Sequence, residues 1–358
     1  MKILIAAGIY PPDAGGPALH AEAHMKGFPR LGIEAEVVAL AHFRSYMMGL
    51  RHILFFNALL EKVPSADVVY AHDALGVGWP ALLAAKLYGK KYVLRVGGDV
   101  VWERQGGEEA LSMLEWYEQG KQRQSLRFYL SRLVLRRADL VIVPSKLLLR
   151  LYVKSYGVAA GRIEVVANPV PERSTSTEPA SRTILFASRL VKYKNLDFVL
   201  RALQPILLQD QKLRCMIIGE GPERRHLEKL SHELGLTAKV TFTGTLSQQE
   251  VLRATAKCLF VVAPALTEFN PNYLLQALSF GKPFLISREH GLPFEIPHEL
   301  IFDPRDEEGF QEKVLNLLTD AGYHRATQFV GSLPFAMSWE DNLRANEKLL
   351  SALLDGSK

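Results

Sequence analysis

Residues 267–287 read TEFNPNYLLQALSFGKPFLIS. An acid, Glu268, stands on the lip of a turn, Asn270-Pro271-Asn272 follows, and then come a short apolar helix, Gly281-Lys282-Pro283 and a new strand. The proline stiffens the turn. Gln276 lies eight places after the acid, where a helix returns a second polar side chain to the same face. The apolar run CLFVVAP (258–264) precedes the stretch and KPFLIS (282–287) closes it, so strand, helix and strand follow one another.

That alternation extends in both directions. KILIAAG (2–8), EAEVVAL (34–40), ADVVYAH (66–72), KYVLRVGG (91–98), ADLVIVPS (138–145) and IEVVANP (163–169) are short apolar runs, most of them separated by intervals long enough for crossover helices. Such an order predicts a doubly wound parallel sheet with helices on both faces. NPVPERSTSTEPAS (168–181) is rich in Pro, Ser and Thr and reads as a linker. The alternation then restarts with RTILFASR (182–189), LRCMIIGEG (213–221), KVTFTG (239–244), the two runs already quoted, and ELIFDP (299–304). Two Rossmann-like α/β domains in tandem are therefore predicted, residues 1–170 and 171–337. An amphipathic C-terminal helix (338–358) follows, with Ser338 as its N-cap. Ligands of such sheets bind at the carboxyl ends of the strands, and with two sheets the expected site is the cleft between them.

At 358 residues the chain is long for one core. Its opening, MKILIAAGIYPP, breaks at two prolines and is too short for a signal peptide, and no apolar run is long enough to span a membrane. Cys215 and Cys258 lie in apolar runs and read as buried free thiols, which fits a reducing cytoplasm. Residues 1–170 carry a charge balance of +6 and the rest −1. The densest basic part, KQRQSLRFYLSRLVLRR (121–137), has six positive charges and no acid. Two readings stand for it: a surface helix with a solvated basic face, or a helix resting on anionic lipid at the inner face of a membrane. No nucleic-acid-binding motif is present, so nucleic acid is not an expected partner.

Each strand end carries polar residues. After the first come Gly15 and Gly16, which allow close backbone approach, and Pro17, which suits a helix start. No Gly-Lys-Ser/Thr follows, so this is not a Walker loop. His20 and His24 have the spacing of a zinc pair, but Ala21 stands where the zincin pattern has Glu, so no metal is expected. RVGGDVVWE (95–103) places Asp99 after two glycines, either as a carboxylate in the cleft or as a helix cap. Arg189 and Lys194 leave a strand at a helix start, an arrangement that suits phosphate. GEGPERR, from Gly219, is another tight turn, and FTGTLS supplies Gly244 as an edge for a flat ring.

FASRLVKYKNLDFVLRAL, IIGEGPERRHLEKL, VTFTGTLSQQEV and APALTEFNPNYLLQALSFGKPFLIS occur in order and at matching distances. They resemble the donor-binding half of retaining GT-B glycosyltransferases of family 4, and YPPDAGGPALHAEAHMKGFPRLGIEAEVVAL is similar to the opening of that family. The resemblance covers nearly the whole chain. It implies two facing Rossmann-like domains, a last helix crossing back to the first, and a nucleotide-diphosphate sugar as donor, with no cofactor and normally no required metal. Arg189 and Lys194 match the basic pair that holds the donor diphosphate and stabilises the leaving group. Glu268 matches the first acid of the E-x7-E motif, beside the donor sugar, and Gly16 the loop glycine that approaches phosphate. On the donor side it further implies Gly15, Gly219, Glu220, Gly221, Thr243, Gly244, Asn270, Asn272 and Leu275, with Gln276 on the ribose hydroxyls. His20, Arg95 and Asp99 fall on the acceptor side.

Three departures stand out. Gln276 replaces the second glutamate, at a cost on the order of 1 kcal/mol in donor binding. Pro271 removes a backbone donor where many relatives have glycine, and Asn270 or Asn272 can supply an amide instead. The loop after the fourth strand lacks the histidine that many relatives carry. The expected activity is retaining transfer of a hexosyl unit to a hydroxyl acceptor, either a sugar or a lipid-linked intermediate of a surface polysaccharide. Two alternatives remain: a binding protein that keeps the fold without the chemistry, and another GT-B activity such as an epimerase or phosphorylase.

Overall fold

The structure, a computed structural model, describes residues 1–13, 15–170, 181–269, 272–334 and 337–356. Most of the linker and the turn residues Asn270 and Pro271 lie outside the described residues.

The chain divides into two compact units: residues 1–102, 116–169 and 337–358, and residues 103–115 and 170–336. The first holds β1 (Lys2–Ala7), β2 (Glu34–Ala39), β3 (Val68–Ala71), β4 (Lys91–Arg95), β5 (Leu140–Val143) and β6 (Ile163–Val165). They form a parallel sheet in the order β2-β1-β3-β4-β5-β6. The second holds β7 (Thr183–Ala187), β8 (Arg214–Ile218), β9 (Val240–Gly244), β10 (Phe260–Ala263), β11 (Phe284–Ser287) and β12 (Ile301–Phe302). Their order is β12-β11-β10-β7-β8-β9, again parallel. A strand buried on both faces cannot alternate polar and apolar residues, which is why β3, β5 and β10 read as unbroken apolar runs and are buried throughout.

In each unit the winding direction reverses once. The reversal lies between β1 and β3 in the first sheet and between β7 and β10 in the second. At such a point the loops leaving adjacent strands run to opposite faces and open a crevice at the carboxyl edge, where doubly wound sheets take ligands.

One segment departs from the division at residue 170. Residues 103–115 precede the linker yet pack with the second unit. The Met113 amide donates to Thr267 Oγ1 at 2.8 Å, and the Leu114 amide to Glu289 Oε1 at 3.1 Å. Arg305 Nη1 reaches Glu115 Oε1 at 2.7 Å. Gly107 lies flat on Tyr193, where a Cβ would stand 2.9 Å from the ring.

The helix Trp339–Leu354 belongs to the first unit. Ser338 caps it in a capping box with Asp341. Its apolar face buries Leu343, Leu350 and Leu353 in the same core as Ile3, Ile5 and Tyr70. Asn342 and Asn346 are buried with it. The Tyr70 hydroxyl donates to Asn346 Oδ1 at 2.7 Å, and Asn346 Nδ2 donates to Asn342 O at 2.7 Å. Among the described residues no helix is long and apolar enough to cross a membrane.

A buried hydroxyl stripped of its acceptor keeps its desolvation cost. Asn346→Ala is therefore expected to destabilise the first unit by about 1–3 kcal/mol, read as an earlier denaturant midpoint with unchanged slope. An unchanged midpoint would show that this bond does not anchor the last helix.

Candidate functional site

The second unit gathers its charged groups at its reversal point. Arg189 and Lys194 follow β7, and Glu268 follows β10. Lys194 closes a short turn, and the next residue, Asn195, adopts a left-handed backbone (φ 57°), a conformation asparagine tolerates. Asn195 Nδ2 holds the turn by donating to Pro304 O at 2.9 Å.

Lys194 Nζ donates to Glu268 Oε1 at 2.8 Å, and Glu268 is 3% exposed. The acid is fixed by its backbone as well. Its amide donates to Glu289 O at 2.9 Å, and the Gly291 amide donates to its carbonyl at 2.8 Å. A carboxylate so buried is stable only with a cation against it. Arg189, by contrast, has an exposed side chain (68%). Its Nη2 donates to Tyr193 Oη at 3.0 Å and to Glu103 Oε2 at 3.2 Å. Lys194 Nζ lies 5.4 Å from the centre of the Tyr193 ring. Tyr193 therefore joins the two cations, one at its hydroxyl and one over its face.

The glycines of the neighbouring loop have a packing cause. A Cβ on Gly219 would stand 1.9 Å from Ser188 O, and one on Gly221 would stand 2.2 Å from Leu190 O. The loop after β8 thus lies directly on the turn that carries Arg189, tied by the Leu190 amide to Glu220 O at 2.9 Å. Gly244, left-handed at φ 75°, follows Thr243 and bonds the Gly219 amide at 2.9 Å. Glu220 pairs with Arg224. Thr243 Oγ1 donates to Gly244 O at 3.0 Å.

In the helix Asn272–Ser279, Asn272 is exposed, Gln276 half-buried and Leu275 buried in the core. A side chain packed in the core leaves Leu275 only its backbone to offer a ligand. Asn270 and the departure at Pro271 lie outside the described residues.

Of the two readings of Asp99, the structure shows the cap. It is 1% exposed, and both of its oxygens are occupied. Oδ1 accepts from the Trp102 amide at 2.7 Å, and Oδ2 accepts from Tyr156 Oη at 2.6 Å. Tyr117 Oη donates to it at 3.1 Å. It is a helix cap and an anchor for two buried tyrosines, not a carboxylate open to a ligand.

In the first unit, Gly15 (φ 142°) opens the helix Gly16–Gly27, on which His20 and His24 are both buried. The two imidazoles meet different partners. Arg95 Nη2 approaches His20 Nε2 at 3.0 Å, while His24 Nδ1 approaches His72 Nε2 at 3.3 Å. Among the described residues no group of three His, Cys, Asp or Glu is placed to hold a metal ion.

The basic stretch forms the helix Leu126–Arg137. Its buried face carries Phe128, Val134 and Leu135; its exposed face carries Leu126, Tyr129, Leu130 and Leu133 among Arg127, Arg136 and Arg137. The adjoining helix Gly78–Leu87 exposes Leu83 and Leu87, with Tyr88 after it.

Sequence reasoning missed Tyr193 and Glu103. Tyr193 sits between two lysines and could have been read as their platform. Nothing local marks Glu103, which reaches Arg189 across 86 positions.

Two family profiles match the chain in succession. Residues 16–169 match a glycosyl transferase 4-like domain. Residues 172–329 match glycosyl transferases group 1. An uncharacterised glycosyltransferase of Methanocaldococcus jannaschii is 23% identical, with 90% of each chain covered. A GDP-mannose-dependent alpha-(1-6)-phosphatidylinositol monomannoside mannosyltransferase of Mycobacterium tuberculosis is 27% identical, over 76% of this chain and 75% of that one. HepE of Anabaena, solved in complex with UDP, superposes with a TM-score of 0.71 at 16% identity, over 98% of this chain and 100% of that one. The fold is that of the GT-B enzymes. The chain belongs to the group 1, family 4-like glycosyltransferases, which use nucleotide sugars.

Proposed function

We propose that the chain is a retaining glycosyltransferase that moves a hexosyl unit from a nucleotide-diphosphate sugar to a hydroxyl acceptor without a required metal. The observation that carries this is the pairing of Arg189 and Lys194 around Tyr193 at the reversal point of the second sheet. A departing diphosphate gains charge as the anomeric C–O bond breaks, and fixed cations beside it lower that barrier. Both cations already face carboxylates, Glu103 and Glu268. The Arg189–Glu103 pair is exposed on the arginine side, so exchanging that carboxylate for phosphate costs little. Lys194 holds Glu268 in place, and Glu268 orients the sugar.

In the proposed reaction the acceptor oxygen bonds to the anomeric carbon on the face the diphosphate leaves. The acceptor proton passes to a diphosphate oxygen. No enzyme carboxylate is consumed, which suits a site whose motif acid is already committed to a lysine. A non-catalytic sugar-nucleotide-binding protein is the second reading, favoured by Gln276 at the ribose position.

The acceptor is proposed to be a lipid-linked or polysaccharide intermediate, reached at the inner face of a membrane from a cytoplasmic position. The exposed leucines and arginines of Leu126–Arg137 support that contact: the apolar tips enter the interface while the guanidinium groups meet anionic headgroups. Flotation with phosphatidylglycerol vesicles is the check. The protein is expected to float, and Leu126→Glu with Leu130→Glu is expected to abolish it. Equal flotation of the variant would remove this contact.

The transferase reading is tested by incubating the purified chain with labelled nucleotide sugars, an acceptor panel and EDTA. The expected product carries the donor's anomeric configuration, read from its proton coupling, and Arg189→Ala is expected to lower kcat by about 10²–10³. An inverted product, release of free sugar without acceptor, or loss of activity on chelation would overturn the respective part of the reading.

A further inference from the structure

The first sheet has its own reversal point, and the charge gathered there is not used by the donor chemistry. Arg95 ends β4, His72 follows β3, and His20 lies on the helix that follows β1. Arg95 is 7% exposed, yet among the described residues no carboxylate pairs with it. Its partners are neutral acceptors: Nη2 donates to His20 Nε2 at 3.0 Å and to Asn168 Oδ1 at 2.9 Å. A buried cation with no counter-charge is costly to keep.

The protonation of the surrounding rings follows from their bonds. Arg95 can only donate, so His20 Nε2 is the bare nitrogen and His20 Nδ1 carries the proton. That Nδ1–H is buried and has no partner. Asn342 Nδ2 donates to Ala167 O at 2.9 Å, which fixes Asn342 Oδ1 as the acceptor for His24 Nε2 at 3.4 Å. His24 Nδ1 then accepts from His72 Nε2, leaving His72 Nδ1 bare, buried and also without a partner. Burial, and next the Arg95 charge, push His24 down to about 3. Burial lowers His20 and His72 as well. All three rings are neutral at ordinary pH, so the cluster keeps the whole charge of Arg95.

The way in is short. Gly97 is exposed, and a Cβ there would stand 3.9 Å from Arg95 Nη1, so glycine leaves that flank of the guanidinium uncovered. Trp339 packs edge-on against His20, with ring centres 5.0 Å apart.

We propose that Arg95 and His20 form an oxyanion site in the first unit, one that seats a carboxylate or phosphate group. The guanidinium supplies the counter-charge and the free Nη1 edge, and His20 Nδ1–H supplies a second donor. His72 Nδ1 remains to accept from a hydroxyl on the same ligand. The site itself stands apart from the transferase reading. Identifying its occupant as the acceptor's anionic group rests on that reading, and makes the acceptor an acidic sugar or a phosphorylated one.

The test uses the full chain carrying Arg189→Ala and Lys194→Ala, so that the second unit's cations cannot bind the probes. Histidine ring nitrogens are labelled with ¹⁵N, and His20 is assigned through His20→Asn. Inorganic phosphate and glucuronate are titrated separately. A saturable change at His20 Nδ1 is expected with one or both, and which probe acts distinguishes phosphate from carboxylate. Adding Arg95→Gln is expected to weaken binding at least about tenfold, or about 1.4 kcal/mol. No response to either probe at millimolar concentration overturns the proposal, as does an undiminished response in folded Arg95→Gln. If that variant does not fold, the response of the Arg95-containing protein decides the matter, with Arg95→Lys expected to bind more weakly. Failure here, with nucleotide binding intact in the unsubstituted chain, removes this site and leaves the donor site standing.

Discussion

A carboxylate buried beside a sheet needs a cation, and the Lys194–Glu268 pair meets that need at 2.8 Å. The pair spans the reversal point of the second sheet, binding the turn after β7 to the loop after β10. The rest of that face is arranged around it. Asn195 holds the lysine's turn to Pro304, and Glu268 is stitched by its backbone to residues 289 and 291. Gly219 and Gly221 allow the β8 loop to lie on the Arg189 turn. Arg189 is exposed beside it, carrying a charge that a weak surface pair with Glu103 offsets.

The first unit repeats this layout with the charges distributed differently. Its reversal point also gathers polar groups, but the cation is buried and the acid there, Asp73, accepts from the Leu75 and Gly76 amides instead of pairing with it. Asp99, the nearest acid by sequence, is spent on a helix cap and on Tyr117 and Tyr156. Arg95 is left among neutral rings and an amide. One sheet edge therefore presents an exposed cation paired with an acid, and the other a sheltered cation with no carboxylate paired to it among the described residues. The two suit anions of different accessibility.

The strands were legible because burial on both faces forces uninterrupted apolar runs, and each predicted run contains a strand. Arg189, Lys194 and Glu268 were legible one by one, since each follows a strand. Their contacts were not: Lys194 meets Glu268 across 74 positions, and no periodicity records that. That residues 103–115 pack with the second unit is hidden for the same reason, as their anchors are Thr267, Glu289 and Arg305. For Asp99 the sequence left cap and cleft equally open, and only the tyrosine partners, 18 and 57 positions away, decide it.

The claim on which the functional reading depends is that Arg189 and Lys194 hold a nucleotide diphosphate. Isothermal titration of UDP, GDP, ADP and TDP into the metal-free protein tests it most directly. One nucleotide is expected to bind, with its affinity falling at least about 100-fold when both cations are replaced by alanine, as two lost charge-assisted contacts require. Binding that survives the double replacement, or no binding of any of the four to folded protein, would contradict it.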